Sequence, residues 1–279
     1  MARDTGFPAA DAENDFLRAR RRHVLAELAT RLRFEPDDVN LVLPFAEVVA
    51  ALGYAGERYV GLQMIPLEAI VGSVDKTREF DRRFRPTSPR IRERWQRIAT
   101  AQRRGQAMPP IEVYRIGELY FVRDGHHRVS VAHAMKQEQI EAAVTEVRTV
   151  LASTDIRNRG DLLVKDYERI FAARVPLPGV AHARITVSDP WTYAELGEAV
   201  EAWGFRFMQD SGEFADRATV AVRWYEDEYV PVVRMLVEAG LIGRRTEAEA
   251  YLQVASERYR LMRTHEWNDE VIERLREGR

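Results

Sequence analysis

One stretch in the middle of the chain places the strongest constraint on what it can fold into. An alternating strand pattern at 111–114 and a short apolar run at 119–122, with a glycine turn between them, predict a β-hairpin. The residues Asp-Gly-His-His-Arg at 124–128 follow the second strand directly, and apolar periodicity at 129–135 then predicts a helix. A hairpin, a glycine turn and a helix in this order are typical of a small unit that mixes strands and helices.

The rest of the chain divides into helical flanks around this mixed centre. The predicted strands lie at 59–65, 111–114, 119–122 and 140–147, and the predicted helices lie at 16–32, 44–52, 89–104, 129–135, 161–173, 190–208, 213–239 and from 246 onward. We therefore expect the α+β class, with an N-terminal helical segment at 1–58, an α/β domain at 59–150 and an all-α C-terminal region at 151–279.

Two local patterns precede the hairpin. Residues 67–71 predict a short turn, and Gly72 and Ser73 then predict a loop that leads toward Asp75. In the first predicted helix, a group of apolar side chains shares one face. These side chains are Leu17, Val24, Leu25, Leu28 and Leu32.

The helical C-terminal region carries its own local signals. Pro231 predicts a kink or a break in the helix at 213–239. Aromatic side chains at helical spacing in the same helix are more typical of a core than of a pocket, and they are Trp224, Tyr225 and Tyr229. Thr246 and Glu249 have the spacing of a capping box, and Asn268 predicts the cap of a final short helix.

The glycine turn before the central helix has the composition of a phosphate-binding site. The first turn of a helix carries partial positive charge, and Gly125 lacks the Cβ that would block close approach of an anion. His126, His127 and Arg128 add donors, and the guanidinium of Arg128 can chelate two phosphate oxygens. Ser130 adds a hydroxyl. The arrangement follows the logic of phosphate-binding loops without their usual lysine.

Asp124, the first residue of this turn, has several open roles. It can cap the helix by accepting N–H bonds, it can orient His126 or His127, or it can hold Mg²⁺ together with a phosphate. Adjacent histidines at a helix start point in different directions, and His133 does not complete a convincing ligand set. Zinc is therefore not expected here.

Positive charge is concentrated between Lys76 and Arg104, where eleven basic residues face three acidic ones. The stretch at 193–270 is richer in acidic residues. A basic stretch of this kind can contact DNA phosphates non-specifically, or it can neutralise acidic side chains elsewhere in the chain. Both interpretations stay open.

Composition excludes several classes of function. The 279 residues include no cysteine, which excludes disulfides, thiolate metal sites and a cysteine nucleophile. No apolar run approaches the ~20 residues of a membrane-spanning helix. The first residues include Asp4, Asp11 and Glu13 and no apolar signal core, so we expect a cytoplasmic protein without a membrane partner.

Four short stretches, taken in order, resemble one family. They are Met64-Ile65-Pro66-Leu67-Glu68-Ala69-Ile70, Asp75-Lys76-Thr77-Arg78, Met108-Pro109-Pro110-Ile111-Glu112-Val113 and Phe121-Val122-Arg123-Asp124-Gly125-His126-His127-Arg128. This order resembles the N-terminal "ParB-like nuclease" domain of the ParB/sulfiredoxin superfamily, over roughly residues 59–148. The resemblance implies a small α/β domain with a mixed sheet.

The resemblance also implies that the domain binds a nucleotide. The nucleotide is CTP in the chromosome-partition proteins, ATP in sulfiredoxin and ADP in the free-serine kinases. In each of these proteins, the turn that matches 125–128 binds the phosphates. Arg78 matches an arginine of the partition proteins, and Asp75 matches an acidic base of the kinases. The Asp-Gly-His-x-Arg motif is most similar to that of the kinase branch, which implies active-site roles for Asp124, His126 and Arg128.

The chain departs from the pattern of this family in three places. Sulfiredoxin chemistry needs a cysteine in the turn, and the chain has none, so that activity is excluded. The partition proteins have Gly-Glu-Arg-Arg where this chain has Gly-His-His-Arg, and no clear recognition-helix pattern follows Arg148. The helical tail is similar to that of uncharacterised bacterial ParB-like proteins.

We therefore expect a nucleotide-binding ParB-like protein, with NTP hydrolysis or phosphoryl transfer as its reaction. Asp75 or Glu68 would act as general base, and Mg²⁺ would lie between the phosphates and Asp124. One alternative is a DNA-associated partition-type protein or nuclease that contacts DNA through 76–104. The other is a non-catalytic module whose helical tail binds a partner. The sequence leaves catalysis and the oligomeric state open.

Overall fold

The computed structural model describes residues 5–34, 40–75 and 78–262. The chain forms two compact units, Met1–Leu162 and Leu163–Arg279. It is 54% helical and 19% strand, with one sheet, so the predicted α+β class is confirmed at this level. The division at 58 and 150 stays a prediction. None of the described helices is both long enough and apolar enough to cross a membrane.

The first unit combines four helices with all the strands of the sheet. In chain order its elements are α1 (Pro8–Leu32), β1 (Leu43–Pro44), α2 (Phe45–Leu52), β2 (Tyr54–Pro66), β3 (Ile70–Ser73), α3 (Arg92–Arg103), β4 (Ile111–Ile116), β5 (Leu119–Asp124), α4 (His126–Ala134) and β6 (Gln139–Thr149). The predicted hairpin is β4–β5, and the predicted helix after the glycine turn is α4.

The sheet has six strands in the order β1-β3-β5-β4-β6-β2. β1, β3 and β5 run parallel, with Gly72 opposite both Leu43 and Phe121. β4 is antiparallel to β5 and parallel to β6. The carboxyl ends of β1, β3 and β5 therefore share one edge of the sheet, and ligands of open α/β sheets bind outside such an edge.

β2 is the long outer strand of this sheet and pairs with β6 in antiparallel register. Its register shifts twice, between Tyr54 and Gly56 and again between Tyr59 and Gly61. Both glycines have positive φ, 122° at Gly56 and 109° at Gly61. A bulge at a glycine with positive φ bends and twists its strand locally.

The prediction of a turn at 67–71 followed by a loop is wrong in its second half. A short 3₁₀ turn at Leu67–Ala69 is followed by the strand β3, which includes Gly72 and Ser73. The loop prediction failed because a four-residue strand is stabilised mainly by its two parallel neighbours, which are remote in sequence. Gly72 has a packing role, since a Cβ built there would lie 2.1 Å from Cδ1 of Phe121.

The apolar face predicted for α1 is not the face that packs on the unit. Ala12, Phe16 and Ala19 are buried, and the ring of Phe16 meets the edge of Trp95 on α3 at 5.5 Å. The predicted apolar face points the other way and is exposed, at Leu17, Val24, Leu25, Leu28 and Leu32. Small residues and specific polar contacts, such as that of buried Asp15 with Arg103, select the buried face.

The second unit is all helical in its described part. Its helices are α5 (Asp161–Arg174, which begins two residues before the boundary), α6 (Gly179–His182), α7 (Trp191–Ser211), α8 (Arg217–Arg223), α9 (Val230–Glu238) and α10 (Glu247–Met262). A π-helical turn at Trp224–Tyr229 separates α8 from α9, and Pro231 lies in the first turn of α9. The backbone stays helical from α8 through α9, so the structure has an irregular turn just before Pro231 and no break, and the kink stays a prediction. Trp224 and Tyr229 are buried, as an aromatic core requires.

The capping box predicted at the start of α10 is confirmed. The N–H of Thr246 donates to Oε2 of Glu249 at 3.0 Å, and the N–H of Glu249 donates to Oγ1 of Thr246 at 3.2 Å. The other carboxylate oxygen of Glu249 accepts from the N–H of Ser188 at 2.6 Å. The cap predicted at Asn268 lies outside the described residues.

We expect Glu249→Gln to reduce the acid sensitivity of the second unit. Burial raises the pKa of Glu249, but hydrogen bonds from Ser188 and Thr246 outweigh burial and lower it to about 2. The stabilisation by the carboxylate is therefore complete above the unfolded value of 4.5 and is lost as the pH falls toward 2. Glutamine keeps an acceptor for the capping box but does not titrate in this range.

The measurement is the urea midpoint of unfolding as a function of pH, for the wild type and for Glu249→Gln. Glu238→Gln, which changes an exposed side chain at the end of α9, is the matched control. An acid dependence equal in the wild type and in Glu249→Gln would contradict this role of the carboxylate.

Candidate functional site

The candidate site lies at the edge of the sheet where β3 and β5 end. Ser73 is paired with Val122, and the N–H of Val74 donates to the carbonyl of Val122 at 3.0 Å. Asp75 lies two residues after the end of β3, and Asp124 is the last residue of β5; both of these side chains are exposed. The sheet register therefore brings the two predicted acidic residues to the same edge, next to the start of α4.

Gly125 begins α4 in the left-handed region, with φ 102°. A Cβ built there would lie 2.4 Å from Cγ2 and 2.8 Å from Cβ of Ile111 on β4. The sequence predicted a glycine that leaves room for an anion. In the structure, the missing Cβ instead lets the turn close onto the neighbouring strand, while the backbone conformation is one that glycine adopts easily.

Arg128 fastens the start of α4 to the segment that precedes β4. Its Nη1 donates to the carbonyl of Pro110 at 2.8 Å and also to the carbonyl of Pro109. Its Nη2 donates to Oδ2 of Asp124 at 2.6 Å. Three of the five N–H donors of the guanidinium are used in this way, which leaves Nε and one hydrogen of Nη2 for a ligand.

Asp124 contacts this arginine in place of the partners that the sequence suggested. The N-cap position of α4 is Gly125, and no side chain caps the helix. The prediction that Asp124 caps α4 is therefore wrong, because its carboxylate is bonded to Arg128. The carboxylate of Asp124 is 62% exposed, so it stays accessible to a cation from solvent.

The other predicted donors of the turn have buried side chains. Nε2 of His126 lies 2.7 Å from Oγ of Ser73, and the ring of His127 meets Phe80 edge-on at 5.3 Å. Oγ of Ser130 accepts from Nε1 of Trp95 at 2.8 Å. The side chains of His126, His127 and Ser130 thus lie in the core, and near the turn surface these residues can offer only backbone groups.

The two predicted general bases lie at opposite ends of β3. Glu68 is exposed in the 3₁₀ turn before β3, whereas Asp75 follows the end of β3. Four strand residues at about 3.3 Å each separate the two positions. The structure therefore brings Asp75 to the start of α4 and places Glu68 away from it.

A cavity of about 290 Å³ lies between α1 and the segment that follows β3. Arg78, the arginine matched by resemblance, lines it together with His23 and Asp81. Nδ1 of His23 lies 3.0 Å from Oδ2 of Asp81, and Nε2 lies 3.4 Å from Oε1 of Glu27. Both ring nitrogens of His23 therefore face carboxylates, which hold the imidazole in place against the wall of the cavity.

Sequence reasoning missed this pair of residues. His23 and Asp81 are separated by 58 positions, and neither belongs to a recognisable motif. No local signal could have found them, because the contact exists only once α1 packs on the segment after β3.

Several arginines of the basic stretch are neutralised by carboxylates of the same unit. Nε of Arg85 donates to Asp81 at 2.7 Å, and two further pairs join α3 to α1. These two pairs are Arg92 with Glu13 and Arg103 with Asp15. The pairing reduces the positive charge available for DNA, and DNA contact through 76–104 stays a prediction.

Comparisons with known proteins do not identify this site. No protein-family model, curated protein or solved structure matches this chain. Among the residues that the structure describes, no group of three His, Asp or Glu side chains is placed to hold a metal ion. A cation at this edge would therefore need ligand oxygens in addition to the carboxylates of Asp75 and Asp124.

Proposed function

We propose that the chain is a nucleotide-binding protein of the ParB/sulfiredoxin type, with the phosphates at the start of α4. The observation that carries this proposal is the shared sheet edge. The parallel strands β3 and β5 end there, and they bring Asp75, Asp124 and Arg128 to the N-terminal end of a helix. Phosphates bind at helix starts because the first N–H groups and the helix dipole favour negative charge.

The proposed contacts divide between backbone and side chains. The first turn of α4 supplies N–H groups, and Arg128 supplies the donors that Pro109, Pro110 and Asp124 do not use. Arg78 is exposed after β3 and adds a second guanidinium. The exposed carboxylate of Asp124 would hold Mg²⁺, which would neutralise negative charge on the phosphates.

The proposed reaction is hydrolysis or transfer of the terminal phosphoryl group. Asp75 is the candidate for the general base, since it lies at the same edge as the start of α4. Glu68 is not proposed as the general base, since it lies at the other end of β3.

We expect Arg78→Ala to weaken nucleotide binding by about tenfold or more. A hydrogen bond to a charged group contributes ~1.5–3 kcal/mol, and ~1.4 kcal/mol corresponds to a factor of ten in affinity. The measurement is calorimetric titration of the full chain with CTP, ATP and ADP in the presence of Mg²⁺. Arg128→Ala should weaken binding to a similar degree, and it should also lower thermal stability because it releases Pro109 and Pro110.

Arg123→Ala is the matched control for these variants. It removes an exposed arginine of β5 whose guanidinium lies over the ring of Tyr114, 5.9 Å from its centroid. Affinity should stay within about twofold of the wild type. The proposal is refuted if no nucleotide binds, or if both Arg78→Ala and Arg128→Ala bind as the wild type does. Binding without phosphate release or transfer would leave a non-catalytic nucleotide-binding module.

A further inference from the structure

A second, smaller cavity lies on another side of α4. Its volume is about 140 Å³, and it is enclosed by α1, the segment after β3 and the outer face of α4. Its lining residues are Ala19, Arg22, Arg83, Phe84, Arg85, Ser130, His133 and Ala134. The lining thus includes three guanidinium groups and one imidazole, and it shares no residue with the turn at 124–128.

The turn that carries two of these arginines is held rigidly. Oδ1 of Asp81 accepts from the N–H of Arg83 at 3.0 Å and from the N–H of Arg85 at 2.9 Å. Between them, Phe84 has a φ of 52°, which is rare for a residue with a side chain, and its ring is buried. Strained backbone of this kind persists where the surroundings fix it, and it is concentrated at functional sites. In this turn, the strained backbone at Phe84 places Arg83 and Arg85 beside the same cavity.

The charge around the cavity is not fully neutralised. Arg85 uses Nε for Asp81 and Nη1 for the carbonyl of Arg22 at 2.8 Å. Neither Arg22 nor Arg83 forms an ion pair with a described carboxylate. Two guanidinium groups therefore remain available beside the cavity, and guanidinium groups bind tetrahedral oxyanions through several N–H donors.

His133 contributes a buried polar atom without a partner. Its Nε2 is buried and forms no hydrogen bond with the described residues, and its ring is stacked on Phe84 with 6.3 Å between centroids. Burial lowers the pKa of His133, the charge of Asp81 opposes this shift, and the charge of Arg83 adds to it. A buried polar atom left without a hydrogen bond is unfavourable, so a ligand in the cavity would stabilise the folded chain.

We infer that this cavity binds a tetrahedral oxyanion through Arg22, Arg83, Arg85 and His133, with inorganic phosphate or the phosphate group of a small molecule as its ligand. The volume is that of four or five water molecules at about 30 Å³ each, which matches the five heavy atoms of phosphate. The site is separate from the nucleotide site proposed at the start of α4.

The experiment is calorimetric titration of the full chain with inorganic phosphate at low ionic strength. Arg22→Ala and Arg83→Ala each remove a guanidinium that makes no ion pair with a described residue, and each should weaken binding by about tenfold or more. Arg21→Ala is the control, since it removes the neighbouring exposed charge of α1, which does not line the cavity. Absence of phosphate binding, or an affinity of both Arg22→Ala and Arg83→Ala equal to that of the wild type, overturns the inference.

Two further arms separate this site from the other phosphate ligands. Arg78→Ala should weaken nucleotide binding and leave the affinity for inorganic phosphate unchanged, whereas Arg83→Ala should do the reverse. If Arg83→Ala instead weakens binding of duplex DNA, and the wild type does not bind inorganic phosphate, the cavity is a contact for the DNA backbone and the small-oxyanion assignment is wrong. Failure of nucleotide binding alone leaves this inference intact.

Discussion

Replacing Gly72 by alanine is expected to destabilise the first unit by about 3 kcal/mol or more, at the upper end of the range for overpacked cores. A Cβ at this position would lie 2.1 Å from Cδ1 and 2.4 Å from Cε1 of Phe121, and 2.7 Å from the carbonyl oxygen of Leu43. Phe121 is fully buried and cannot move into solvent, and a backbone carbonyl in a paired strand cannot yield. The measurement is the free energy of unfolding from denaturant titration.

A double-mutant cycle tests the cause of this loss. Gly72→Ala should be less destabilising when Phe121 is already alanine, since only the carbonyl of Leu43 then opposes the new methyl group. Gly179→Ala is the control, because a Cβ built at that glycine meets no atom within 4 Å. Additive free energies in the cycle would show that the ring of Phe121 is not the source of the effect.

Removing the carboxylate of Asp81 is expected to destabilise the same unit by about 3–5 kcal/mol, the range for breaking a buried ion pair. This side chain is 2% exposed and accepts hydrogen bonds from the N–H groups of Arg83 and Arg85 and from Nε of Arg85. It also holds His23 on α1. Asp81→Ala leaves these partly buried donors without their acceptor and releases the left-handed turn at Phe84.

The matched control is Asp75→Ala, which removes an exposed carboxylate six positions earlier in the same segment. Its free energy of unfolding should stay within about 0.5 kcal/mol of the wild type. The measurement is thermal and denaturant unfolding of both variants. Equal stability of Asp81→Ala and Asp75→Ala would show that the carboxylate of Asp81 does not stabilise the first unit. The turn between Arg83 and Arg85 would then not be held rigid by Asp81.

Local patterns predicted those elements whose stability is local. The strand patterns of β4 and β5 and the capping box of Thr246 and Glu249 can be recognised from neighbouring residues. β3 could not be predicted, because its four residues become a strand only between β1 and β5. The buried face of α1 was also predicted wrongly. The apolar pattern of this helix is dominated by leucines on the exposed face, whereas Phe16 and small residues make the buried contacts.

The candidate site shows the same division between local and remote contacts. The glycine turn that starts α4 was predicted from the strand–turn–helix order, but the close approach of Gly125 to Ile111 was not. The partners of Arg128 could not be foreseen, since Pro109 and Pro110 are 19 and 18 residues earlier. Likewise, the contact of His23 with Asp81 depends on how α1 packs, which no short motif encodes.

The two glycine bulges of β2 also affect how the chain behaves beside copies of itself. An outermost strand with regularly spaced N–H and C=O groups is a template on which another extended chain can add. Each shift in register, at Gly56 and at Gly61, interrupts that spacing, so an incoming strand finds matching groups only over short intervals. Although Tyr59, Leu62 and Met64 expose apolar surface on this strand, its irregular backbone therefore opposes the growth of sheet-like aggregates.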